Sequence, residues 1–396
     1  MENINNLAMI ELANKGMYNI IITEKCNLRC KYCYVKNRDT DFHISEETLN
    51  KFLNILKTYR YKNDKSKPVK IDLFGGEPLL FWKIVKNFII KANEMFDENF
   101  MIITIYTNAV LLTEEILNFT HQYKNVNYNF SVDGNKECHD SQRIFENGSG
   151  SYDKVMNGIQ NYENVYHNKK AGMFVVAPAN YQYLFDVVKT SVKNNTRVHS
   201  SIDRTNWSKE ELDGYKKEFF KTIDYLISFP VDEIVNFIDM GLVYPLIDKV
   251  NNRSGWCSIG KNSVSISPKG DIYPCQRFYN NNSNFIIGNL DNGIELENSI
   301  YLGFKYFTYK NSTKCSKCEM SPGCVGQCFG ASFENNGNMF EPIDSVCEII
   351  KFKYKGSLLI FDRFKDNLYF KNRVENLLSG GGVTYEDVIK YCERTK

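Results

Sequence analysis

Three cysteines, Cys26, Cys30 and Cys33, stand at Cys-x3-Cys-x2-Cys spacing in the stretch Thr23-Glu24-Lys25-Cys26-Asn27-Leu28-Arg29-Cys30-Lys31-Tyr32-Cys33-Tyr34. The apolar run Tyr18-Asn19-Ile20-Ile21-Ile22 precedes it and reads as a strand, so the cysteines sit on a loop at a strand end. Soft thiolates this close together suit zinc or an iron–sulfur cluster. A structural zinc wants four ligands, and the next Cys or His in the chain is His43. A four-iron cluster held by three cysteines keeps one iron without a protein ligand. An open coordination position is where a small molecule binds.

From 17 to 204 the chain alternates strand and helix patterns. Tyr18–Thr23, Val69–Phe74, Met101–Tyr106, Val126–Ser131, Met173–Val176 and Arg197–Ile202 read as strands. Helices are predicted after Ser45, which serves as N-cap, over Leu79–Phe96, after Thr113, from about Ser151 and near Tyr183–Lys193. Such alternation predicts parallel βα units, and six of them fit an open, partial (β/α)6 barrel better than a closed eight-stranded one. Sites in these folds lie at the C-terminal ends of strands. Gly75-Gly76-Glu77-Pro78, Thr107-Asn108 and Ser131-Val132-Asp133-Gly134 all fall there. The glycines permit close backbone approach, and Glu77 is able to accept from an ammonium. Thr107 and Asp133 suit turn and cap chemistry equally well.

At the cysteine loop the chain resembles the radical S-adenosyl-L-methionine (SAM) superfamily. The resemblance implies that the open iron chelates the amino and carboxylate groups of SAM. It implies reductive cleavage to a 5′-deoxyadenosyl radical that takes hydrogen from a substrate. Tyr32 would lie beside the adenine, and Gly75, Gly76 and Glu77 would meet the SAM amino group. Thr107, Asn108, Ser131 and Asp133 would line the same mouth. The stretch Gly134-Asn135-Lys136-Glu137-Cys138-His139-Asp140-Ser141-Gln142-Arg143 resembles one found in the peptide- and protein-modifying branch. Arg143 is the candidate partner of the SAM carboxylate, because guanidinium pairs with carboxylate through two parallel bonds. For His139 a local hydrogen bond is expected, and for Cys138 a buried thiol.

A second cysteine field holds Cys257, Cys275, Cys315, Cys318, Cys324, Cys328 and Cys347. Ser267-Pro268-Lys269-Gly270-Asp271 is turn chemistry, so Cys257 and Cys275 bracket a predicted hairpin. Pro322-Gly323 and Gly326 loosen the backbone around the later cysteines. Paired zinc ribbons need two Cys-x2-Cys units, and this field has one, Cys315–Cys318. The spacing resembles the SPASM domain, which implies two auxiliary clusters and three [4Fe–4S] clusters in all. By that resemblance Cys315, Cys318, Cys324 and Cys347 hold the outer cluster. Cys257, Cys275 and Cys328 remain for the inner one, with a fourth position open to a substrate thiolate or to a further ligand.

The fold expectation is therefore α/β. A lead-in over 1–16 precedes a partial barrel over 17–204 and a helical connection over 205–254. A small cysteine-rich SPASM domain with a β-hairpin spans 255–350, and a C-terminal helical tail spans 351–396, with Gly380-Gly381-Gly382 as a break. A net charge of +2 gives no field to steer nucleic acid or a membrane surface. No apolar run of membrane-spanning length and no signal core are present, so a cytoplasmic protein is expected, its 12 cysteines serving clusters rather than disulfides.

SPASM-bearing radical SAM enzymes modify peptides or proteins, which implies a precursor peptide as substrate and a flavodoxin- or ferredoxin-type electron donor. Residues 1–16 are too few for a leader-binding domain, so a separate leader-binding protein is one way to recruit the peptide. Length and cysteine layout are similar to anaerobic sulfatase (formylglycine) maturases, with two departures. Those enzymes place a catalytic Asp directly after the cysteine matching Cys275, where this chain has Gln276. They also carry an eighth auxiliary cysteine shortly after the one matching Cys257, and Ser258–Ser263 contains none. Gln cannot act as a carboxylate base. A ribosomal-peptide maturase forming a thioether or other crosslink is thus the first reading. Sulfatase maturation, peptide epimerisation and a cluster-bearing electron carrier are the alternatives.

Overall fold

The computed structural model describes residues 2–36, 38–66, 68–168, 172–193, 198–237, 242–251, 257–279, 283–321, 323–324, 327–378 and 383–395. The readings placed on Arg197, Pro322, Gly326 and Gly380–Gly382 lie outside them. Ten strands are described: β1 Met17–Thr23, β2 Val69–Gly75, β3 Met101–Thr107, β4 Val126–Ser131, β5 Gly172–Val176, β6 Val198–Ile202, β7 Ser263–Ile266, β8 Asp271–Tyr273, β9 Gly288–Asn289 and β10 Gly293–Ile294. All six strands of the expected βα series are present. The chain divides into two compact units, one of 1–132, 139–170 and 258–306, the other of 133–138, 171–257 and 307–396.

The first unit is built on a sheet in the order β10-β9-β8-β7-β1-β2-β3-β4. Pairings β7·β1, β1·β2, β2·β3 and β3·β4 are parallel, and β8, β9 and β10 add antiparallel. The β2 and β3 segments alternate apolar and polar residues, which gives the sheet two unlike faces. Ile20, Ile71, Leu73, Ile103, Ile105 and Phe130 point into a core with Phe52 and Leu53 of helix Glu46–Leu56 and Phe88 and Ile89 of helix Trp82–Met95. Ser45 caps the first of these helices by accepting from Thr48 N–H, and Thr113 caps helix Glu114–Thr120 by accepting from Ile116 N–H.

Two features of this unit differ from the sequence reading. The lead-in contains a helix, Glu2–Ala13, whose Leu12 and Ala13 are fully buried. Lys15 follows it, buried, and donates to the carbonyls of Gly260 and Lys261 at 3.0 and 2.9 Å. The predicted hairpin forms from β7 and β8, with Gly270 at φ +87° in its turn, but β7 pairs with β1 and continues the sheet. Residues 255–350, expected as one cysteine-rich domain, are therefore divided between the units.

In the second unit β5 and β6 pair in parallel, from Gly172↔Val198 to Val176↔Ile202. Helix Lys209–Ile227 starts with a full capping box, Ser208 with Glu211. It packs on helix Asp344–Phe364 through Tyr215 and Phe219 against Phe352, with ring centroids 5.2 and 5.4 Å apart. Gly356 permits that approach, since a Cβ there would lie 2.5 Å from the Phe219 ring.

Candidate active site and cluster-binding cysteines

The loop Cys26–Cys33 leaves the C-terminal end of β1 and is fixed at several points. Cys26 N–H donates to Arg38 O, Arg29 N–H to Ile144 O and Lys31 N–H to Gln142 O, at 2.7–3.0 Å. The Arg29 guanidinium donates to Cys26 O at 2.7 Å and Leu28 O at 3.1 Å. Burial first, then the neighbouring Glu77 charge and those of Cys30 and Cys33, push the Cys26 thiol up to about 12. Thiols this close resist ionising together unless a strong positive charge sits among them, and that is what an iron–sulfur cluster supplies. Among the described residues no three Cys, His, Asp or Glu side chains converge on the point a single ion would occupy. The chemistry of three clustered thiols spread over one short loop fits a multi-iron cluster.

The glycine motif packs directly on this loop. A Cβ at Gly75, whose φ is +144°, would lie 2.1 Å from Thr23 O, and one at Gly76 would lie 2.2 Å from Lys25 O. Only glycine fits at both positions. Glu77, fully buried, turns its carboxylate inward: Oε1 accepts from Thr107 Oγ1 at 2.8 Å and Leu79 N–H at 3.1 Å, and Oε2 from Asn108 N–H at 2.8 Å. Burial nevertheless raises its pKa to about 7, these three bonds pulling the other way. The carboxylate that sequence reasoning assigned to an ammonium thus ties the ends of β2 and β3 together. Asn108 extends the tie: its Nδ2 donates to Asn27 Oδ1 at 2.7 Å and lies 4.0 Å from Cys26 Sγ.

Arg143 is buried beside the same loop, its guanidinium 3.8 Å from Cys30 Sγ and 5.3 Å from the Tyr32 ring centroid. Tyr32 and Arg143, read from separate stretches of sequence, are thus brought together. Ser131 ends β4, half-buried. Asp133 belongs to the second unit, where its buried Oδ1 accepts from Val175 N–H at 3.1 Å. His139 makes the local bond expected of it, Nε2 to Ser151 Oγ at 3.0 Å, and burial depresses its pKa to about 3. Cys138 is a fully buried thiol.

Around Cys275 the first unit brings Gln276, singled out above, together with Ser265, Tyr34 and Arg277, which sequence reasoning passed over. Gln276 Oε1 accepts from Cys275 Sγ at 3.3 Å and Ser265 Oγ at 3.4 Å. Tyr34 is half-buried nearby under the Arg277 guanidinium, 5.0 Å from its ring centroid, with its hydroxyl shielded from solvent. Burial, then the charges of Cys275 and Cys33, push the Tyr34 phenol well up, so this ring lies within electrostatic reach of both cysteine sites. An aromatic directly after the third loop cysteine was the available signal.

In the second unit Cys315, Cys318, Cys324 and Cys347 come together. Burial, then the charges of Cys324, Cys315 and Cys318, push Cys347 up to about 12. Glu341 braces the loop, accepting from Ser312 Oγ and from Thr313 N–H and Oγ1 at 2.8–3.0 Å. Gln327, buried, donates to Cys347 Sγ at 3.2 Å. A cavity of about 540 Å³ opens against Cys315, Cys318 and Cys347, with Trp207, Lys314 and Lys351 on its walls. Four thiols with one such opening fit a cluster at the edge of this unit. Cys328 is half-buried at the start of helix Phe329–Asn336, Cys257 is exposed, and both belong to the second unit, whereas Cys275 belongs to the first. Cys392 packs in the helical core of the second unit. No described helix is long and apolar enough to cross a membrane.

Residues 20–190 match the radical SAM superfamily, and residues 257–319 match the SPASM iron–sulfur cluster-binding domain. The radical SAM cyclopropyl synthase TigE of Paramaledivibacter caminithermalis is 24% identical over 84% of this chain and 71% of its own. The cysteine-type anaerobic sulfatase-maturating enzyme of Clostridium novyi is 26% identical over 77% of this chain and 85% of its own. The solved structure of anSMEcpe with bound AdoMet and the Kp18Cys peptide superposes with a TM-score of 0.65 at 17% identity, covering 88% of this chain and 99% of that one.

Proposed function

We propose that this chain, a radical SAM domain followed by an iron–sulfur SPASM domain, is an oxidoreductase that matures a ribosomally made peptide by forming a thioether or another crosslink. When bound, the cluster on the Cys26–Cys33 loop would supply the electron that cleaves SAM to a 5′-deoxyadenosyl radical, and the two auxiliary [4Fe–4S] clusters would serve binding and electron transfer. The chain's own residues hold and orient. Cys26, Cys30 and Cys33 would hold the first cluster, Cys315, Cys318, Cys324 and Cys347 the outer auxiliary one, and Cys257, Cys275 and Cys328 the inner one. Gly75 and Gly76, packed on the cysteine loop, would meet the SAM amino group. Arg143 presents a buried guanidinium for its carboxylate. Tyr32 offers the adenine an aromatic face. Thr107 and Asn108 are held rigid by Glu77, and Ser131 and Asp133 complete the proposed set.

The observation that carries the choice of substrate is Gln276. A neutral amide, its oxygen occupied by Cys275 and Ser265, stands where formylglycine chemistry calls for a carboxylate base. A peptide bound to a neighbour of the same fold supports a peptide partner here. A flavodoxin- or ferredoxin-type donor, a separate leader-binding protein and a cytoplasmic setting complete the reading.

The test is anaerobic reconstitution with SAM, reductant and the short peptides encoded beside the gene. 5′-Deoxyadenosine and a peptide two hydrogens lighter are expected. A product epimer of unchanged mass would replace the crosslink by epimerisation. Absence of 5′-deoxyadenosine would overturn the enzyme reading altogether.

A further inference from the structure

The sheet of the first unit buries one face under helices, as described above. Its other face is polar at one level. The register sets Ser265 beside Asn19, Asn19 beside Asp72, Asp72 beside Thr104, and Thr104 beside Asn127. In-register residues on neighbouring strands point to the same side, so these five side chains form one row. One step nearer the strand ends, Phe74 packs on Tyr106 with ring centroids 5.2 Å apart, and Tyr106 lies in register with Asn129. A face that served only to pack would be apolar here, as the opposite face is.

The charged member of the row is Asp72. It is 7% exposed, while Thr104, Tyr106 and Asn129 beside it are half-buried and Asn127 is open. The Tyr106 phenol lies near enough to Asp72 to favour its charged form, and Asn129 likewise favours the charged form of Tyr106. No Lys or Arg forms an ion pair with Asp72 among the described residues; the cation whose charge reaches it is Lys70, exposed and two residues back on the same face. Buried carboxylates are ordinarily paired or fully hydrogen-bonded, because a charge withdrawn from water has lost its solvation. Among the described residues this one has a neutral phenol nearby and lacks a paired cation.

We infer that Asp72, set in this polar row between Asn19 and Thr104, is a recognition site for a cationic side chain, a Lys or Arg of the substrate peptide. The inference rests on the peptide reading above and adds a sequence requirement to it. Asp72 stands three residues before Gly75, roughly 10 Å along the strand at about 3.3 Å per residue. The glycine motif and cysteine loop lie at that upper level. An extended peptide spans such a distance in about three residues. The residue modified therefore lies within a few positions of the basic one. Asp72 is a binding residue in this scheme and exchanges no proton with substrate. Burial, countered by Tyr106 and Lys70, holds its pKa near 6, as expected of a carboxylate awaiting a cation.

The experiment uses reconstituted holoenzyme with SAM and a panel of acetylated heptapeptides with a central Cys. One flanking position at a time carries Lys, Arg, norleucine or Gln. Bound peptide is counted by mass spectrometry after anaerobic filtration. Wild type is expected to retain Lys and Arg peptides about tenfold over their norleucine and Gln counterparts, the ratio that about 1.4 kcal/mol produces. Asp72→Asn should lose that preference and Asp72→Glu should keep part of it. Equal retention of all peptides by wild type overturns the site and leaves the peptide reading intact. An undiminished preference in Asp72→Asn also overturns it. A second probe, n-butylamine in equilibrium dialysis, separates the two readings. If no peptide is retained but butylamine binds wild type and not Asp72→Asn, the cation site stands and the peptide reading falls. If neither probe binds, both fall.

Discussion

The backbone N–H of Asn108 donates to Glu77 Oε2 at 2.8 Å, while Thr107 Oγ1 donates to Oε1 at the same distance. One buried carboxylate thereby sets the distance between the ends of β2 and β3, and through Asn108 and Asn27 it reaches the cysteine loop. Replacing Glu77 with Ala leaves three buried donors without an acceptor. Each costs about 1–3 kcal/mol, so a loss of at least about 3 kcal/mol is expected. Glu77→Gln keeps the oxygen that accepts from Thr107 and Leu79 and loses the bond from Asn108, so its loss should be smaller. Urea unfolding of the reconstituted protein measures both. An alanine variant as stable as wild type would show that the tie contributes nothing.

The same carboxylate predicts a pH dependence. Its folded pKa, raised to about 7 from the ordinary glutamate value of 4.5, means that between those values the folded chain holds a proton the unfolded chain has released. Stability from this group is complete below the unfolded value and is lost as pH rises through about 7. The loss is on the order of 3 kcal/mol at about 1.4 kcal/mol per pH unit. Glu77→Gln does not titrate and should lack this component. Unfolding midpoints of the two proteins at pH 5 and pH 8 test it. A difference between them that does not change with pH refutes it.

Cluster content is open to direct counting. Ten candidate cysteines in three sets predict about 12 irons per chain, and Cys26, Cys30 and Cys33 changed together to Ala should leave about eight with no SAM cleavage. Iron and sulfide assays read both numbers. Loss of all iron from the triple variant would mean that the sets do not fill independently.

Much of this was legible in the sequence. Each expected strand forms, Ser45 and Thr113 cap the helices predicted from them, and Tyr32 and Arg143 meet at the cysteine loop. These readings rest on local chemistry: alternation, a capping hydroxyl, thiol spacing. What escaped is pairing and direction. Nothing local in Ser263–Ile266 says that it will pair with β1, since any exposed edge offers the same donors and acceptors. Residue type says that Glu77 accepts hydrogen bonds but not that its donors are its own neighbours. The polar face under Asp72 did leave a trace. Lys70 and Asp72 alternate with Val69, Ile71 and Leu73, the pattern of a strand with one open side.

Gln276 carries the distinction between maturases and has its own test. A sulfatase-derived Cys or Ser peptide incubated with holoenzyme, SAM and reductant should give no useful yield of formylglycine, because the amide cannot take a proton as carboxylate does. Mass spectrometry of the peptide decides it. Efficient conversion would restore the sulfatase reading and require a base elsewhere in the site.

Binding of a cation at Asp72 should have an acid limit, and its position should depend on Tyr106. The carboxylate must be ionised to pair with Lys or Arg, so retention of the Lys peptides falls as pH drops through about 6. The groups that bear on Asp72 are the Tyr106 phenol from β3 and the Lys70 ammonium on its own strand, and both lower its pKa against the larger effect of burial. Asn19 on β1 is neutral. Tyr106→Phe removes the hydroxyl that favours the charged form of Asp72 and keeps the ring that packs on Phe74. Its Asp72 should titrate at a higher pH, moving the acid limit upward by up to about one unit, the size of a single neutral hydrogen bond at about 1 kcal/mol. Peptide retention measured from pH 5 to pH 8 on wild type and Tyr106→Phe reads the shift. A limit that moves downward, or stays where it is, would mean that Tyr106 does not act on Asp72 in the way the geometry requires.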